Sequence, residues 1–129
     1  MSELKEHIKV SEKDVPVYEP PGHNDTFNRR LAGPFNGSNN VEFIIGEMGR
    51  TGDAAPHTHH GFDQLMYILE GQLRISSPAT GKEEVFVPGD LVIFPDGVEH
   101  KVVVESEKSR FSKNLRRLDL RCCIHSAPY

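Results

Sequence analysis

Four side chains able to bind a transition metal fall in two short segments. The stretch His57-Thr58-His59-His60-Gly61-Phe62-Asp63-Gln64 carries histidines and an amide, and His100 answers it 36 residues after Gln64. Successive side chains of a strand alternate faces, so His57 and His59, at i and i+2, are expected to point the same way and to share one ion. Gly61 permits a bend that re-phases the next strand, in which Gln64, Met66 and Ile68 share a face, so an amide oxygen could join the imidazoles. The fourth group comes from residues 89–100, which read as strand, tight Pro-Asp-Gly turn, strand.

The two segments resemble the two signature motifs of the cupin superfamily. The first motif is matched by Gly52, His57-x-His59, Gln64 and Gly71, with four residues between Gly52 and His57 where the family pattern has five. The second runs from Gly89 through Pro95 and Gly97 to His100, with Val104 where the pattern ends in Asn. Gln64 stands where the family usually has Glu. The six-residue gap to Gly71 selects Gln64, whereas counting three residues from His59 selects Asp63, and both alignments remain open. The resemblance covers residues 52–104 and implies an all-β fold, the jelly-roll (double-stranded β-helix) barrel of a small single-domain cupin. It implies His57, His59, Gln64 and His100 as metal ligands, with Fe, Mn, Ni or Zn as the divalent ion. The glutamine-bearing set is similar to that of uronate-linearising and isomerase cupins.

Three imidazoles and an amide are all neutral, so a divalent ion held by them keeps its full +2 charge. A glutamate in place of Gln64 would reduce the site to +1 and weaken it as a Lewis acid toward an anion. Two open positions of a six-coordinate ion suit adjacent carbonyl or hydroxyl oxygens of one small-molecule substrate. Chelation acidifies a neighbouring C–H, which favours isomerase or lyase chemistry on a sugar acid or keto acid. A dioxygenase using a redox-active metal is the alternative, and a non-catalytic sugar-binding or small-molecule-binding protein is a third reading from another class. No motif places the catalytic acid or base. Asp63, Glu42 and Tyr67 are candidates for proton transfer; Arg29, Arg50, Arg74 and Lys101 are candidates for binding a substrate carboxylate.

The chain of 129 residues suffices for one such barrel and is too short for two domains. Its net charge of −4 lacks the basic footprint of a general nucleic-acid binder. No apolar run reaches the roughly 18–20 residues of a membrane-spanning helix, and residues 1–10 are charged rather than signal-like, so the default expectation is a soluble cytoplasmic protein. The adjacent Cys122 and Cys123 form neither a spaced disulfide framework nor a CxxC-type zinc site and read as ordinary thiols.

Within that single domain, residues 1–40 read as an N-terminal arm with short strands, one over Val15-Pro16-Val17-Tyr18 and another running into Leu31. His7 reads as a surface residue and His23 as a loop residue. The turn formers of residues 33–40 separate the arm from a barrel core over residues 41–107, whose short strands are divided by turns every 8–12 residues. Glu70-Gly71 reads as a hairpin turn. Residues 108–129 hold six basic residues against Asp119, a net of +5 that leaves −9 for residues 1–107. This segment reads as a solvated basic turn followed by a final strand on the alternation of Leu118, Leu120, Cys122 and Ile124. Residues 65–69, apolar on both faces, together with the resemblance, lead to the expectation of a homodimer.

Overall fold

The computed structural model of the chain describes residues 5–116. Eight strands form one sheet rolled into a jelly-roll barrel: β1 (His23–Ala32), β2 (Val41–His57), β3 (Gln64–Glu70), β4 (Leu73–Ser77), β5 (Lys82–Phe86), β6 (Leu91–Phe94), β7 (His100–Val104) and β8 (Lys108–Arg116). The strand order is β5-β4-β7-β2-β8-β3-β6, with β1 paired to β2. Among the described residues no helix is long and apolar enough to cross a membrane.

The spine is β2. Over residues 41–49 it pairs with β8, and over residues 53–57 with β7, so one strand links both halves of the roll. Its buried positions alternate as Glu42, Ile44, Gly46 and Met48, the period of two expected of a strand with one face inward. Opposite them β8 turns in Ser109, Phe111, Lys113 and Leu115, and β3 turns in Gln64, Met66 and Ile68. Fully buried Ile68 and Leu73 anchor the apolar core, each contributing about 1.5–3 kcal/mol by burial.

Several local readings of the sequence change. The basic stretch after residue 107, read as a solvated turn, is instead β8, hydrogen-bonded between β2 and β3. Its basic residues are spread over both faces of a strand, and every second position is buried. The final strand expected over residues 118–124, like Cys122 and Cys123, lies outside the described residues. Of residues 15–18 only Tyr18 pairs, in an isolated bridge to Asn28, because Pro16 and the Pro-Pro-Gly that follows at 20–22 limit a ladder. Glu70-Gly71 is not a hairpin: β3 pairs with β6 and β8, whereas β4 pairs with β5 and β7. The chain crosses there between the two halves of the roll.

That crossing depends on Gly71, whose φ of 79° lies in the left-handed region. A Cβ at this position would collide with the Lys108 carbonyl oxygen and the Ser106 hydroxyl. Gly81, with φ of 75°, has open space around it. Gly71→Ala should therefore cost more than Gly81→Ala, which carries only the left-handed penalty of about 1–2 kcal/mol. Denaturant unfolding midpoints of the two variants check this, and equal losses would contradict it.

Candidate metal centre

His57 and His100 are cross-strand partners at the end of the β2–β7 ladder, with ring centroids 4.2 Å apart. His59 does not share the strand with His57, as the i, i+2 reading expected. The strand stops at His57, and residues 58–63 form a loop that returns His59 to the same place, its ring 5.1 Å from His57 and 5.5 Å from His100. The loop is pinned to two adjacent residues of the β6–β7 turn: Gly97 N–H donates to the His59 carbonyl, and Gly61 N–H donates to the Asp96 carboxylate. One ring nitrogen from each of His57, His59 and His100 lies within 4.8 Å of the others, close enough for the three to hold one metal ion.

Their orientation is set by backbone carbonyls. His57 Nδ1 sits 2.8 Å from the Ala55 oxygen, and His100 Nδ1 sits 3.1 Å from the Val98 oxygen. With Nδ1–H donating to a carbonyl, Nε2 carries the lone pair, the tautomer a metal requires. Phe94 stacks on His100 with ring centroids 3.9 Å apart.

A small cavity, partly open to solvent and with about 20 Å³ of enclosed space, roughly the room of one water molecule or ion, is lined by His23, Thr26, His57, Gln64, His100 and Lys113 above an apolar wall that includes Met48, Met66 and Phe111. Gln64 is 4% exposed, and its Oε1 is buried without a hydrogen-bond partner among the described residues. An amide oxygen without a partner in a cavity lined by imidazoles is what a bound cation would satisfy, so the donor set fits the implied metal. Asp63 is exposed and accepts a hydrogen bond from Asp96 N–H, which makes it a brace for the loop.

A family model described as Cupin domain matches residues 45–111, more than half of the chain. The chain is a member of the cupin family. It is 26% identical over 113 residues to a gentisate 1,2-dioxygenase from Haloferax sp., covering 83% of this chain and 30% of that protein. The polyketide cyclase RemF from Streptomyces resistomycificus superposes with a TM-score of 0.76 at 25% identity, covering 89% of this cupin and 87% of the cyclase. KdgF from Halomonas sp. shares the fold at 17% identity, with a TM-score of 0.72 and coverage of 90% and 98%.

The other candidates of the sequence lie elsewhere in this cupin. Arg74 pairs with Glu105 at 3.1 Å, Arg50 with Glu107 at 3.6 Å and Arg29 with Glu12 at 3.8 Å, while Lys101 is exposed. None lines the cavity, because each takes an outward or rim position of its strand. Tyr67 is likewise 42% exposed. Glu42 is inside the barrel, where its carboxylate meets the Arg30 guanidinium at 3.7 Å, but it does not line the cavity.

Two cavity residues were missed. Lys113, counted in the basic terminal segment, is an inward position of β8; its apolar neighbours at two-residue spacing, Phe111 and Leu115, carried the signal. His23, read as a loop histidine, begins β1 opposite Ala54. In an unbroken strand His23 and Thr26 would face opposite ways, but the register shift at Asp25 re-phases β1 so that both line the cavity. Asp25, with φ of 48°, holds this bulge by accepting from the Thr51 hydroxyl at 3.0 Å. No motif spacing announces such a shift. His23 repeats the local device of the others: its Nδ1 lies 2.9 Å from the Pro21 carbonyl, and its ring is 5.6 Å from His57.

Burial holds the pKa values of His23 and His57 below the ordinary histidine value, and the Lys113 charge adds to this. His100 is pushed down to about 4, chiefly by burial and then by the charge of His57. Protons thus compete with a metal less than at an exposed histidine, and retention should extend below the pH of 6.5 expected for unperturbed imidazoles. In the metal-free protein the unfolded chain binds more protons than the folded one between pH 6.5 and about 4, so stability is full above 6.5 and falls with acidification through that window. His100→Gln should flatten this decline. Denaturation midpoints of both metal-free proteins from pH 7.5 to 4 measure it, and parallel curves would contradict the assignment.

Proposed function

We propose that His57, His59, Gln64 and His100 hold one divalent transition metal ion, and that this cupin is an enzyme acting on a small oxygenated substrate by redox-neutral carbonyl chemistry: isomerisation, elimination or ring closure. The observation that carries the reading is the wholly neutral donor set, three clustered imidazoles and the orphaned Gln64 oxygen, at a cavity with no carboxylate among its described lining residues. Imidazole and amide ligands suit Fe, Mn, Ni or Zn. An ion held by these residues would supply Lewis acidity, which would make a C–H beside a coordinated oxygen more acidic.

The chain's own groups supply the remainder. The Ala55 and Val98 carbonyls keep the His57 and His100 lone pairs aimed inward. Phe94, Met66 and Phe111 exclude water from the side of the cavity nearest the core. His23, neutral at neutral pH because burial lowers its pKa, takes up the substrate proton at Nε2, while its Nδ1–H stays donated to Pro21. The likeness to a polyketide cyclase at 25% identity supports redox-neutral chemistry. The likeness to a gentisate 1,2-dioxygenase favours a second reading, in which the same site holds a redox-active metal and consumes oxygen. The outward apolar pairs Leu65–Ile93 and Tyr67–Leu91 support the expected homodimer.

Elemental analysis of untagged protein purified without added metal, beside His59→Ala, tests the site. About one ion per chain is expected in the wild type and at least tenfold less in the variant. Wild type that carries no metal and fails to take any up would overturn the metal reading. An oxygen electrode run with a panel of keto acids and uronates should show turnover without oxygen uptake; stoichiometric uptake would transfer the assignment to the dioxygenase.

A further inference from the structure

Inside the barrel, β8 presents a lysine where a strand of this kind normally presents an apolar residue. Lys113 is 5% exposed, sits between the inward Phe111 and Leu115, and lines the cavity shared by His23, His57, Gln64 and His100. A lysine on a barrel strand can usually carry its ammonium to solvent along its four-carbon stem. Here burial keeps the charge inside and lowers the pKa to about 8, with Glu42 and Tyr18 acting in the opposite direction. The charge also bears on the proposed metal ligands: it depresses the pKa of both His57 and His100.

Among the described residues Glu42 is a buried carboxylate, and it interacts with two cations, Arg30 at 3.7 Å and Lys113. Of these three, Lys113 lines the cavity and Glu42 and Arg30 do not. A divalent ion held by neutral ligands would add two more charges of the same sign to a space with no carboxylate in its described lining. Cations crowded this way in a poorly solvated site repel one another, and an anion between them relieves the repulsion.

We propose that Lys113 anchors a carboxylate of the substrate, so that the substrate class is small carboxylic acids bearing a second oxygen on the adjoining carbon for the metal. This rests on the reading of His57, His59, Gln64 and His100 as the metal site and specifies what that site takes. The rival role, a purely structural partner of Glu42, makes a different prediction: removing the lysine would then lower stability without changing which ligands bind.

The test uses the full chain, loaded with cobalt(II) or metal-free, titrated calorimetrically with glycolate and with its neutral counterpart glycolamide. The metal itself favours a carboxylate over an amide, so the quantity read is the change in that preference between proteins. Lys113→Met should keep one cobalt per chain and lose about tenfold or more of the glycolate preference, the range of a charge-assisted hydrogen bond. Lys113→Arg should retain most of it. A wild-type preference in Lys113→Met overturns the proposal. Failure of cobalt to bind either protein would sink the metal reading alone. The metal-free titrations then decide on Lys113, since loss of the glycolate preference in Lys113→Met supports the anchor and its retention overturns it. Should Lys113→Met not fold, the ¹³Cε resonance of Lys113 in lysine-labelled wild type gives the answer. A shift with glycolate and none with glycolamide supports the anchor, and an equal response to both overturns it.

Discussion

The pairing of β2 with β7 sets the geometry from which the site follows. It places His57 opposite His100 at the last rung of the ladder, where the two strands leave the sheet and their side chains turn inward. Everything else at the centre is fastened to that rung. The loop carrying His59 is tied to the turn after β6 through Gly97 and Asp96, and that turn leads directly into His100. Gln64 begins β3 opposite Phe94, whose ring in turn stacks on His100. A slip of one residue between β2 and β7 would send one imidazole outward and leave the other facing apolar core. A register shift between Ala54 and His57 separates this rung from the buried Ala54–Val102 pair and brings His57 opposite His100.

The site is built from groups that are neutral when deprotonated, and this has an electrostatic consequence. Burial depresses the histidine pKa values, which costs little because a neutral imidazole is the form that binds a metal. A glutamate in place of Gln64 would have offset the charge of the ion, and also that of Lys113. The amide adds no negative charge of its own to the cavity lining. Placing Lys113 on the inner face of β8 is therefore consistent with the choice of Gln64, since the two together leave the anion to the ligand.

Much of this was legible in the sequence where spacing and composition agree. The two motifs named three histidines whose ring nitrogens lie within 4.8 Å of one another, and the turn signals located most of the strands. What the sequence concealed was pairing. Glu70-Gly71 has the composition of a hairpin, and only the crossover between the two halves of the roll shows why Gly71 faces the Lys108 carbonyl instead of a simple two-residue loop. His59 reached its position through a loop rather than through strand alternation, so the expected outcome arose from a different local geometry. His23 depended on a bulge at Asp25, a feature of two strands in register that neither strand displays alone.

Lys113 shows the limit of charge patterning as a guide. Six basic residues after residue 107 suggest a solvated segment when they are counted, because counting ignores direction. Read instead with a period of two, Ser109, Phe111, Lys113 and Leu115 form one face and Lys108, Arg110, Ser112 and Asn114 the other. The first face contains the most apolar residues of the segment, so the strand turns it inward and must carry the lysine with it. A charge held among apolar neighbours cannot seek water along its own stem, and it interacts with Glu42 inside the barrel. On the proposed reading, that position would turn an energetic burden of the fold into a means of selecting a ligand.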